Sequence, residues 1–196
     1  MRPDPEPSAR PASYADLRAW AVEARDYRVT LRRCPASRVA VIAPHGGRIE
    51  RDTSTVAQAI AAHDLNFYAF EGLLASRNHE RLHLTSHRFD EPRCLELLSG
   101  CDHVVAVHGC ALDDARALLG GRDETLKAAL AAALRAAGLE VETEGHRFPG
   151  LHPDNICNRG ATGRGVQLEL SDRLRDADHL ERVARAVRAG LGLVAG

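Results

Sequence analysis

The chain has 196 residues, 44% of them apolar and 27% charged, with a formal net charge of −1. That length suits one domain with a sizeable core, and the charge balance gives no long-range pull toward nucleic acid or an anionic membrane. No apolar run approaches the roughly 20 residues of a membrane-spanning helix. The five cysteines include no C-x-x-C pair, which excludes a zinc knuckle or redox dithiol and leaves reduced, buried thiols in a cytosolic protein.

Residues 1–12 are polar and rich in proline, without the apolar segment of a signal peptide. They read as a disordered leader ahead of a single domain over 13–196, with the cytoplasm as the default location. "SYADLRAWAVEARDY" predicts an amphipathic helix capped by Ser13, with Leu17, Trp20, Val22 and Ala24 as its apolar contacts. "RVAVIA" is a short β-branched run of the kind buried on both faces of a sheet. "TSTVAQAIAAHD" has helical spacing behind a capping Thr or Ser, and "NFYAFEG" and "RLHLTS" read as strands. "EPRCLELLSG" is a short helix stopped by Gly100, and "HVVAVHG" a second continuous apolar strand. In "ETLKAALAAALRAAG", Leu126, Leu130 and Leu134 form one stripe and Gly138 marks the end. "LEVETEG" and "GVQLELS" follow as strands, and the chain closes with a helix around "HLERVARAVRAGL". Strands alternating with helices predict a single-domain layered α/β/α fold with a mostly parallel mixed sheet. In such sheets, ligands sit beyond the carboxyl ends of the strands.

"VAVIAPHGG" and "HVVAVHG" share one design, an apolar strand followed by histidine and glycine. If the two strands are neighbours, His45 and His108 face one point, with Glu50 on the turn just after His45. Two imidazoles, one carboxylate and an open position make a catalytic zinc site; the bland alternative is a pair of half-exposed polar residues. The double glycine fits neither dinucleotide nor P-loop spacing. Glu169 alternates with the apolar residues of "GVQLELS", so it either faces solvent from an edge strand or reaches the cleft as a proton acceptor. "NICNRGATGRG" offers Asn155, Asn158 and Arg159, a set that suits a carboxylate ligand or simply a loop whose polar residues cap one another. Cys110, two residues past His108, is read as packing, because Gly109 is expected to begin a turn.

"PHGGRIE", "YAFEG", "LHLTSHRFDEP", "VAVHG" and "NICNRGATGRGVQLELS", in that order over Pro44–Ser171, resemble the poly-γ-glutamate hydrolase family, also known as phage replication-related proteins. The resemblance implies a zinc-dependent amide hydrolase with a zinc-carboxypeptidase-like fold. It implies zinc on His45, Glu50 and His108, Glu169 as general base, and the Asn158–Arg159 segment binding or polarising the substrate. Carboxypeptidases proper use a shorter His-x-x-Glu spacing, so their activity is not implied. The implied substrate is a polyanionic glutamyl polymer, to which Arg48, Arg51, Arg159 and Arg164 lend slight local support; a prophage enzyme of this kind would act outside after lysis. Two other functions fit the same residues. One is a zinc amidohydrolase acting on N-acyl amino acids or peptidoglycan peptides. The other is a non-catalytic phage-associated protein of the same fold.

Overall fold

A computed structural model describes residues 10–192. Through residue 9, the expected leader lies outside the described residues. Helix α1 (Tyr14–Arg18) precedes strands β1 (Tyr27–Arg32) and β2 (Val39–Gly47). Helix α2 (Thr53–Ala61), strand β3 (Asn66–Gly72) and helices α3 (Asn78–Leu82) and α4 (Pro92–Leu98) follow. Strands β4 (His103–Cys110) and β5 (Arg116–Gly121), helix α5 (Glu124–Ala136), strands β6 (Glu140–Glu142) and β7 (Val166–Ser171), and helix α6 (Ala177–Gly190) complete the domain. The strands form one seven-stranded sheet in the order β1-β3-β2-β4-β7-β5-β6. The pairs β3/β2, β2/β4, β4/β7 and β5/β6 are parallel; β1/β3 and β7/β5 are antiparallel.

The side-chain alternation of each strand divides the core. Val41, Ala43, Val105, Val107, Leu168 and Leu170 pack on one face against α2, α5 and α6. Ala40, Ile42, Val104 and Ala106 pack on the other face with Leu17, Leu82 and Cys94 from α1, α3 and α4. The chain leaves β2 through α2 to reach β3 on one side, then returns through α3 and α4 to β4 on the other. This reversal of direction opens a crevice at the carboxyl ends of β2 and β4.

Several sequence expectations are corrected. The first helix stops at Arg18. Asp26 accepts the Val22 N–H at 2.8 Å, Ala24 adopts a left-handed φ of 69°, and Val22 is half exposed. A local carboxylate therefore captures the backbone donor that a longer helix would use. The predicted helix runs to Tyr27, the first residue of β1, and the sequence pattern assigns no element to the rest of this edge strand. "RLHLTS" is no strand: it ends α3 and continues as unpaired extended chain, in which Leu82 and Leu84 are buried while His83 turns away from them. "RALLGG", to which the sequence pattern assigns no element, forms β5. At α2 the N-cap is Asp52, without a side-chain cap bond, and the Thr53 hydroxyl donates to the Glu50 carbonyl instead.

Candidate metal centre and active site

Strict alternation along β2 would put His45 on the face of Val41 and Ala43, opposite the face that carries His108. A β-bulge prevents this. Ala43 pairs with Ala69 and Gly46 with Glu71, so β2 advances by three residues (46 − 43) while β3 advances by two (71 − 69). The extra residue reverses the alternation at Pro44, which lacks the N–H a regular ladder needs. Gly46 then takes the α2 side, where a Cβ would lie 2.9 Å from that of Ser54, and His45 turns to the other face. On β4, His108 follows Val104 and Ala106 on that face, and the parallel register places Glu169 of β7 directly beside it.

His45 and His108 are both buried, and their Nδ1 atoms stand 3.2 Å apart. Glu50 Oε1 is 2.9 Å from His45 Nδ1, and its Oε2 is 3.5 Å from His108 Nδ1 and accepts the Gly109 N–H at 2.8 Å. His45 Nε2 lies 2.6 Å from the Leu84 carbonyl. A carbonyl only accepts, so Nε2 carries the hydrogen and the Nδ1 lone pair of a neutral ring faces a carboxylate oxygen and a second imidazole nitrogen. Such a cluster of donors requires a proton or a cation among them, and a histidine whose other nitrogen donates to a carbonyl has the usual arrangement of a metal ligand.

A third imidazole, His83, stacks on His45 at 3.9 Å between centroids and 29° between planes, with Nε2 3.5 Å from Glu50 Oε1. His45, Glu50 and His83 each offer a donor within 4.8 Å of the others, so this cluster could hold a metal ion. His83 and His108 therefore compete as the second imidazole donor. Near-parallel stacked rings direct their in-plane lone pairs side by side, whereas the His45 and His108 rings cross at 63° and their nitrogens converge. Nδ1 of His83 and Nε2 of His108 are buried without a partner among the described residues. Burial and the neighbouring His45 lower the His83 pKa to about 4, so it is neutral at pH 7.

Glu169 is buried in an interior strand, not exposed on an edge. A relay of three hydrogen bonds orients it. The Cys157 N–H, which can only donate, binds Asn155 Oδ1 at 3.1 Å; Asn155 Nδ2 donates to Gln167 Oε1 at 2.7 Å; Gln167 Nε2 donates to Glu169 Oε1 at 3.0 Å. Burial and then the Glu50 charge push Glu169 well above the usual carboxylate range, against opposing effects of Arg147, Arg175 and the Gln167 bond. Burial also disfavours the charged form of Glu50. With a proton rather than a cation among the imidazoles, the charge on His45 and hydrogen bonds from His108, His45 and His83 nevertheless hold it well below its usual value. Two carboxyls driven in opposite directions differ in what they can do chemically: an ionised carboxylate can ligate a cation, and a carboxyl of raised pKa can exchange a proton.

These groups line a cavity of about 830 Å³ whose walls also include Asn155, Gln167, Arg147 and Cys110. Gly109 does not begin a turn, since β4 runs on through Cys110, which shares the His108 side and lines the cavity. Burial and the Glu169 charge raise the Cys110 pKa to about 12, so it is a thiol rather than a thiolate. Asn158 and Arg159 are not among the cavity-lining residues. Asn158 is buried, donating to the Gly150 and His152 carbonyls, and Arg159 pairs with Asp154 at 3.4 Å. Sequence reasoning did not single out His83, Gln167 or Arg147. The signals available were the alternation of "LHLTSH" and the i, i+2 spacing of Gln167 and Glu169.

The poly-gamma-glutamate hydrolase family model matches residues 12–186. The chain belongs to this family. Family and fold are those of a hydrolase, and the fold is zinc-carboxypeptidase-like. Among Bacillus subtilis relatives, UPF0714 protein YmaC is 34% identical over 178 residues, covering 89% of this chain and 75% of that protein. The SPbeta prophage-derived UPF0714 protein YoqZ is 40% identical over 140 residues, covering 70% of this chain and 50% of that protein. The match therefore spans three quarters of one relative and half of the other. A solved bacteriophage poly-gamma-glutamate hydrolase superposes with a TM-score of 0.86 at 30% identity, covering 92% of this chain and 95% of that one. The zinc-free form of YndL superposes with a TM-score of 0.84 at 30% identity, covering 92% and 96%.

Proposed function

We propose that this protein is a zinc-dependent amide hydrolase that cleaves the γ-glutamyl bonds of poly-γ-glutamate, with zinc held by His45, Glu50 and His108. The observation that carries the reading is the orientation of His45. Its Nε2 donates to the Leu84 carbonyl, which aims Nδ1 at the Glu50 carboxylate and the His108 Nδ1 within hydrogen-bond distance, a cluster that needs a proton or a cation, beside a carboxyl of raised pKa. Family membership and the zinc-free description of the YndL structure support both parts of it.

A bound zinc would supply Lewis acidity, polarising the amide carbonyl and making water acidic near pH 7. The remaining steps belong to the chain. Gln167 holds Glu169 Oε1, which leaves the other carboxyl oxygen to take the proton of the attacking water. Its pKa, raised by burial and the Glu50 charge, makes it a stronger proton acceptor than an ordinary carboxylate, and the same carboxyl then protonates the departing amine. His83, neutral, supports the Glu50 carboxylate.

Metal analysis combined with a poly-γ-glutamate depolymerisation assay, with and without chelator, tests the reading. Glu169→Gln should keep zinc while hydrolysis falls by on the order of 10²-fold or more. His108→Ala should lose zinc, and His83→Ala should keep it. Unchanged turnover in Glu169→Gln removes the base; full zinc in His108→Ala removes that ligand.

A further inference from the structure

We propose that Arg147 binds the free α-carboxylate of the glutamyl residue on the amine side of the scissile bond, an inference that rests on the γ-glutamyl reading above. Three arginines line the cavity: Arg51, Arg147 and Arg175. Arg175 is committed to the fold, with Nε donating to the Leu170 carbonyl at 3.1 Å and its other nitrogens to the Arg51 carbonyl and Asp172. Arg51 pairs with Asp52 at 3.3 Å. Arg147 has no hydrogen-bond or ion-pair partner among the described residues; its guanidinium lies 4.9 Å from the centre of the Phe148 ring. Arg159, the sequence candidate for this task, is held by Asp154 and is not among the residues lining the cavity.

The segment carrying Arg147 is fixed to the scaffold at several points. The Phe148 N–H donates to His146 Nδ1 at 3.3 Å, so His146 Nε2 carries the hydrogen that meets the Leu119 carbonyl at 3.1 Å. The Gly121 N–H donates to the Pro149 carbonyl at 2.9 Å, and Asn158 donates to the Gly150 carbonyl at 2.8 Å. A Cβ on Gly120 would lie 2.4 Å from the Phe148 carbonyl oxygen, so the segment sits directly on β5. A free guanidinium on a tied-down wall, stacked on an aromatic ring, is pre-organised for a planar carboxylate. It lines the same cavity as Glu169 and Cys110, and its charge acts on both.

Substrate chemistry selects the side of the bond. In a γ-glutamyl chain, the nitrogen released on cleavage is attached to the carbon that bears a free α-carboxylate. Glu169 protonates that nitrogen in the proposed reaction. A cation on the wall of the cavity that holds Glu169 is therefore available to the leaving residue's carboxylate, and an α-peptide chain would present an amide there instead.

The test uses the zinc-loaded protein and two short γ-glutamyl oligomers, one with free α-carboxylates and one amidated on the amine-side residue. The wild type should show a KM roughly tenfold lower for the free acid, the scale of one charge-assisted contact in a partly exposed site. Arg147→Ala should abolish that preference in KM, with zinc content and Tm unchanged, and Arg147→Lys should restore part of it. Calorimetry in the Glu169→Gln background should show the same loss of free-acid binding without turnover. If Arg147→Ala keeps the full preference, or the wild type has none, the assignment falls. If the wild type binds the free acid through Arg147 but cleaves neither oligomer, the hydrolase reading falls and the subsite stands.

Discussion

Glu169 and Glu50 lie in one cavity, yet their environments treat them differently. Glu50 is surrounded by imidazoles and a backbone N–H, whereas Glu169 receives a single amide hydrogen bond and faces another carboxylate. The raised pKa of Glu169 has a consequence for folding that its proposed catalytic role does not require. Stability from its protonated form is fully present below the unfolded value of about 4.3 and is lost as pH rises toward the folded pKa. Metal-free Glu169→Gln should therefore match the metal-free wild type near pH 4 and exceed it in Tm at pH 8. Thermal melts at both pH values in chelator check this, and a gap that narrows with rising pH would contradict it. The ligand-type residues were legible because histidine and glutamate at strand ends are conspicuous. Gln167 was not, because an amide reads as surface polarity until its partners Asn155 and Glu169 are seen to be buried with it.

At the scale of elements, the bulge in β2 decides whether there is a site. The repetition of strand, histidine and glycine suggested that two imidazoles meet, but simple alternation would have sent them to opposite faces. Pro44 was the visible cue, and only the pairing with β3 shows that it reverses the alternation. Gly46 makes the bulge possible, since a side chain there meets Ser54 Cβ at 2.9 Å and the Phe70 carbonyl oxygen at 3.2 Å. Gly46→Ala should cost about 1–3 kcal/mol of stability, the usual range for overpacking, and should weaken zinc binding. Denaturant titration and metal affinity measure the two effects, and no change in either would mean that β2 and α2 pack with slack. Long periodic elements such as α5 and α6 were readable because their apolar stripes exceed three turns. The segment after Arg18 was not, because its helical periodicity is overridden by one side chain, Asp26, capturing a backbone N–H.

Across the whole molecule, the candidate ligands come from β2, the turn after it and β4, the strands that flank the switch in chain direction. A cation there would tie together the two halves of the sheet, which are otherwise joined at this point by the short β2/β4 ladder from Val39 to Ile42. Binding to the folded state alone stabilises by mass action, about 4 kcal/mol at a thousandfold excess over Kd. Zinc should therefore raise Tm in the wild type and leave His108→Ala unmoved; an equal rise in both would place the metal elsewhere. The α/β class was legible from the alternation of strands and helices. The positions of β1 and β5 were not, since edge pairing and a glycine-ended strand carry little local signal. The central claim is that one ion joins residues 45, 50 and 108. Anomalous diffraction at the zinc edge from zinc-loaded crystals tests it most directly. The account predicts a single peak roughly 2.0–2.2 Å from Nδ1 of His45, Nδ1 of His108 and a Glu50 carboxylate oxygen; a peak bonded to His83 in place of His108, or no peak in this cavity, would contradict it.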